Sequence, residues 1–240
     1  MKMKNVRSII AVIAVCSLFF NPDSRAAAVV TPATGGTCLN ITPGAYKVLS
    51  NIFITEAAAG DMSIQAGTTF ILAAPSGFEF RPGAGSVAFT AGRDIASATM
   101  VVTSTAITVT LNVPTNTQLD VLRIRNIEVR SLLAYATGTI TRPVAGGTAT
   151  VAGDMPGGGV NHGYLTTTGT GGTITTVSNG SWSNGTTWTG GNVPSCNDNV
   201  VIAHTVNVDY AVSLNDVTIN SGGNMIADNA VTVAGNFQMA

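Results

Sequence analysis

The sequence predicts an all-β chain in two parts, a sandwich of antiparallel strands and then the beginning of a stack of parallel ones. Three observations carry this. Only 10% of the 240 residues are charged, and Lys47 is the one lysine after Lys4, so the side chains that cover exposed helices are scarce. β-Branched residues instead alternate with polar ones in short runs broken by Gly, Pro and Asn. Past residue 173 the alternation gives way to apolar triplets with Asn, Asp and Gly between them.

Residues 1–26 stand apart. Lys2, Lys4 and Arg7 precede the apolar run SIIAVIAVCSLFF, whose 13 residues fall short of the roughly 20 that span a bilayer. Asn21 and Pro22 end it, and small residues follow for cleavage after Ala26 or Ala28. This reads as a secretory signal peptide, so the protein is expected to be secreted or held at the cell surface. A lipoprotein signal fits worse, because Val15 is large and Cys16 lies mid-run. Removal takes four of the 11 basic and one of the 12 acidic residues and leaves a net charge of −4. No later run is long enough for a transmembrane helix. A net negative chain lacks the positive footprint that nucleic acid requires.

Residues 27–45, rich in Thr, Pro and Gly, read as a lead-in. Residues 46–152 then show the period of two that strands require. Ile52 and Ile54 share a face, as do Phe78 and Phe80 after the turn at Pro75–Gly77. Ile107, Val109, Leu111 and Val113 alternate cleanly. Leu122 and Ile124 have one parity but Ile127 and Val129 the other, which predicts a β-bulge near Asn126. About seven to nine such segments fit an Ig-like β-sandwich, without the Cys…Trp…Cys signature of antibody domains. Residues 153–173 hold 8 glycines in 21 positions and read as a flexible linker and domain boundary.

Residues 174–240 carry the triplets, at Val200, Val206, Val217 and Val231. Val217 follows Val200 by 17 residues and Val231 follows Val217 by 14. Short strands with Asn and Gly corners and no hairpin pattern predict the start of a parallel β-helix. The first turn of such a stack has no preceding neighbour to cover it. Both tryptophans of the chain, Trp182 and Trp188, sit at that point. They are expected to cap the stack, with their indole N–H groups turned to carbonyls or water. Pro194, Asp198 and His204 complete the expected cap, His204 as a turn residue donating to a backbone carbonyl. Export permits a disulfide between Cys38 and Cys196, but spacing alone leaves two separate buried thiols equally open.

The stretch GSWSNGTTWTGGNVPSCNDNVVIAHTVNVDYAVSLNDVTINSGG resembles a motif of large secreted surface proteins of gliding-type Gram-negative bacteria. It is also similar to the domain named for its eight glycines that opens some extracellular β-helices. Trp182, Trp188, Gly190, Gly191, Pro194, Asp198, Val200, Ile202, His204, Val206, Asp209, Ile219 and Gly223 occupy the motif positions, over about 45 residues. The resemblance implies an extracellular structural or adhesive role. Such proteins often end in a type IX sorting domain. This chain stops at Ala240 in mid-pattern instead, so it is expected to be the N-terminal part of a longer one.

The alternative is a carbohydrate-binding module or a β-helix glycan-processing enzyme. Lyases of that fold resemble one another in using a basic side chain and calcium-binding carboxylates, whereas residues 143–240 hold no Lys or Arg. Asp198, Asp209, Asp216 and Asp228 match no calcium-loop spacing and read as turn residues. Arg123, Arg125 and Arg130 read as a solvated edge, and His162 as a linker residue without a role. No catalytic residue, metal or cofactor is expected. A surface glycan or a protein is the expected partner.

Overall fold

The computed structural model describes residues 27–40, 45–169 and 171–240, so the expected signal peptide lies outside them. The chain is all-β. Among the described residues no helix is long and apolar enough to cross a membrane.

The first part is built from β1 (Val29–Thr31), β2 (Lys47–Val48), β3 (Ile52–Thr55), β4 (Gln65–Ala73), β5 (Phe78–Phe80) and β6 (Ser86–Phe89). β7 (Ser97–Val102), β8 (Ala106–Val113), β9 (Val121–Arg125), β10 (Glu128–Ser131), β11 (Thr137–Ile140) and β12 (Gly163–Thr166) complete it. Their order in the sheets is β1-β3-β9-β6, β2-β10-β5, β4-β8-β7 and β11-β12, all antiparallel. Alternation buries one face of each. Ile107, Val109, Leu111 and Val113 share one core with Phe70 and Leu72 of β4, Ile52 and Ile54 of β3, and Leu122 and Ile124 of β9.

The expected bulge at Asn126 is not an inserted residue. Asn126 is left-handed, at φ 55. Yet Ile52 pairs with Ile124, and four residues earlier Val48 pairs with Glu128, four residues later. Register is kept because the partner strand changes face at the same level: Leu49 and Ile52 differ in parity and both are buried. The two strands turn over together. A register shift does occur between Ala66 and Thr68, where β4 slips against β8 at Gly67, φ 63.

The lead-in and the linker are both part of the folded structure. β1 adds an edge strand to β3, and Ala33 and Leu39 bridge to Gly163 and Thr167. Residues 163–166, expected to be flexible, form β12 against β11. His162 is fully buried, with Nε2 2.8 Å from Asp154 Oδ2 and Nδ1 3.0 Å from the Val160 carbonyl. The glycines here permit close approach rather than motion. A Cβ on Gly163 would stand 3.2 Å from Ile140 Cδ1, and one on Gly153 2.4 Å from Ala27 Cβ.

Beyond residue 171 the pairing changes. β13 (Thr173–Thr175), β14 (Gly180–Ser181), β15 (Asn199–Ile202), β16 (Thr205–Val208) and β17 (Val212–Leu214) come first. β18 (Val217–Ile219), β19 (Asn224–Ala227), β20 (Val231–Val233) and β21 (Phe237–Met239) follow. Every strand pairing among them is parallel, in the orders β13-β15-β18-β21, β14-β16-β19 and β17-β20. Val200 lies beside Val217, 17 residues on; Val206 lies beside Met225 and Val212 beside Val231, each 19 on; Val217 lies beside Phe237, 20 on. The expected spacing of 14 between Val217 and Val231 is therefore wrong, because these residues belong to different sheets. Val200, Ile202, Val206, Val208, Leu214 and Val217 line a second core.

Candidate functional site

The first pass of this second part is longer than the rest. Thr173 pairs with Asn199 and Gly180 with Val206, each 26 residues on. The surplus lies between β14 and β15 and includes both tryptophans. Two single 3-10 turns shape it, Gly185–Thr187 and Thr189–Gly191. The side chain of Asn184 caps the first by accepting from Thr186 N–H at 3.1 Å. Gly190 and Gly191 take positive φ, at 71 and 77 degrees, where a side chain would be strained.

These turns fold both indoles inward. Trp182 is 0% and Trp188 1% exposed, and their rings meet edge to face at 4.6 Å between centroids. Trp188 Nε1 donates to the Trp182 carbonyl at 2.8 Å. Trp182 Nε1 is buried and has no partner among the described residues, so the expectation for the two N–H groups holds for one of them. The Trp182 backbone N–H donates to Asn207 in β16 at 2.7 Å, which ties the insert to the parallel strands. Thr176 bridges to Trp188 on the other side.

Pro194 and Asp198 are buried beside this insert, and His204 is half-buried. Asp198 Oδ2 accepts from Ser195 N–H at 2.9 Å, and Oδ1 accepts from the Tyr135 hydroxyl at 3.3 Å. Burial pushes its pKa up, against the lowering effect of those bonds and of the Gly171 and Gly172 N–H groups. His204 Nδ1 lies 3.0 Å from the Thr176 hydroxyl, which also accepts from Ala203 N–H. Its partner is thus a side chain and not the expected backbone carbonyl.

Cys38 and Cys196 are joined by a disulfide, with Cα atoms 5.7 Å apart and 158 residues between them in sequence. It fastens the segment before β2 to the segment before β15. The Ser195 hydroxyl donates to the Thr167 carbonyl at the same seam. Tyr135, from the β10–β11 connection, packs against the second core.

Along this seam lies a cleft of about 630 Å³. Tyr135 and Tyr164 come from the antiparallel part and Tyr210 from the β16–β17 connection; the disulfide forms part of the wall. None of the described lining residues carries a formal charge. Burial, with Tyr164 and Asp209 nearby, raises the Tyr210 pKa to about 12. The phenol therefore stays protonated at neutral pH and is available as a donor. Residue typing alone had marked the tryptophans as the aromatic platform; no local signal marked these tyrosines, which are brought together only by the fold.

The remaining candidates are dispersed. Asp209 accepts from Ser183, and Asp216 from Asn236 N–H at 2.6 Å. Arg123 lies over the Phe53 ring, and Arg130 pairs with Glu79 beside Tyr46. Among the described residues no three His, Cys, Asp or Glu side chains are grouped to hold a metal ion. Compared with family models, curated proteins and solved structures, the chain matches none.

Proposed function

We propose that this chain is a non-enzymatic, exported cell-surface protein with a structural or adhesive role. In this reading the antiparallel part is an Ig-like β-sandwich and the parallel part is the capped start of a β-helix. The observation that carries it is the pair of buried indoles at the first pass of the parallel strands. They are spent on closing a scaffold, and they are not displayed to a ligand. The basic, apolar leader supports export, and the disulfide suits an oxidising compartment.

Two cleavage points were open from sequence. Ala28 is buried and its N–H donates to the Ala152 carbonyl at 2.9 Å, so processing after Ala26 preserves the fold and processing after Ala28 removes part of it. Expression with the leader in a Gram-negative host tests the proposal. The expected result is a chain beginning at Ala27 that is digested by protease added to intact cells. An unprocessed chain confined to the cytoplasm overturns it. The glycan-binding alternative is favoured by one observation, the tyrosine-lined seam.

A further inference from the structure

We infer that the seam cleft is a binding site for a neutral oligosaccharide, which extends the adhesive reading from a role to a ligand class. Sugars without carboxylate, phosphate or sulfate combine apolar C–H faces with a dense set of hydroxyls. A site for them needs rings to lie against those faces and uncharged donors and acceptors around the rim. The cleft has both. Tyr135, Tyr164 and Tyr210 supply three aromatic rings from three separate segments. Thr137, Thr232 and Asn192 add hydroxyl and amide groups.

The absence of charge decides the ligand class. An anionic sugar would meet no cation among the described lining residues, and residues 143–240 contain no Lys or Arg. A cationic ligand would meet no carboxylate in the same lining. A purely apolar ligand would leave the threonine and tyrosine hydroxyls unpaired on desolvation, which costs about 1–3 kcal/mol for each one buried. The volume lies within the roughly 300–1,000 Å³ of small-ligand sites. Rigidity also fits. The disulfide and the Ser195–Thr167 bond hold the two walls together before any ligand arrives.

The test is calorimetric titration of the oxidised, processed protein with neutral glucose, mannose, galactose and N-acetylglucosamine oligosaccharides, and with trigalacturonate as the charged comparator. At least one neutral sugar should bind with a Kd below about 1 mM, and trigalacturonate at least tenfold more weakly. Tyr164 is 38% exposed, so Tyr164→Ala should fold normally and weaken binding tenfold or more. Tyr164→Phe keeps the ring and should lose less. Tyr46→Ala, outside the cleft, should bind as the parent does. The inference is overturned if no neutral sugar binds, if trigalacturonate binds equally well, or if folded Tyr164→Ala binds unchanged. Because purified protein is used, such a failure leaves the surface-localisation experiment to be decided separately.

Discussion

Trp182 and Trp188 are equally buried but not equally bonded. Trp188 fills its site and also donates to the Trp182 carbonyl, whereas the Trp182 N–H has no partner among the described residues. Trp188→Ala should therefore destabilise the parallel part by roughly 3–5 kcal/mol, as other large core truncations do. Trp188→Phe should cost about 1–3 kcal/mol more than Trp182→Phe, since only the former strands a buried carbonyl. Denaturant unfolding followed by far-UV circular dichroism checks both; equal losses would assign the pair to packing alone. Asp198, Glu56 and Asp120 are carboxyls whose pKa values burial raises. A carboxyl with a raised folded-state pKa contributes stability below its unfolded pKa, and that contribution is lost as pH rises through the folded value. Thermal midpoints should thus fall as pH rises from about 4 toward neutrality. Asp94 and Asp209 have lowered values and act in the opposite direction, at pH below the ordinary carboxylate range. Asp198→Asn should flatten the slope of the parallel part; an unchanged slope would remove Asp198 from this account.

At the scale of elements, the parallel strands approach more closely than side chains allow at their corners. A Cβ on Gly223, between β18 and β19, would stand 2.1 Å from the Ile202 carbonyl oxygen, which is backbone and cannot swing away. Gly223→Ala should cost roughly 1–3 kcal/mol through overpacking. Ser221→Ala, at an exposed neighbour, should be nearly neutral, and thermal melts of the two variants separate the outcomes. Gly223 was legible as a position of the glycine-rich motif. The reason for it was not, because the carbonyl it approaches belongs to the preceding pass. In the antiparallel part, the alternation in β8 translated directly into burial, since a strand with one wet face leaves little choice. The parity change at Asn126 was also visible, but its meaning depended on Leu49 in the partner strand, which no single-strand pattern reveals.

For the whole molecule, the seam decides how the two parts act together. The Cys38–Cys196 bond closes a loop that runs through nearly all of the antiparallel part. Its reduction should cost about 2–5 kcal/mol. Unfolding with and without dithiothreitol should show one transition separating into two as the parallel part melts first. A single unshifted transition would mean that Leu39, Tyr135 and Ser195 hold the seam without the bond. Arg142 makes a related point inside the first part. It is buried, stacks 4.5 Å from the Phe70 ring centroid, and donates to the carbonyls of Gly146, Ala149 and Asp154. From sequence it was only the last basic residue of the chain.

Local chemistry was enough to read the all-β class, the change of character near residue 173 and the tryptophan segment as a special point. Periodicity and turn residues act over a few neighbours, so they survive in a linear string. The tertiary structure alone decided that the glycine-rich stretch is packed, that the two cysteines meet across 158 residues, and that three unremarked tyrosines line one cleft. Each of these depends on which distant backbone lies alongside. That is settled by the burial of both cores at once, and no stretch of sequence carries it by itself.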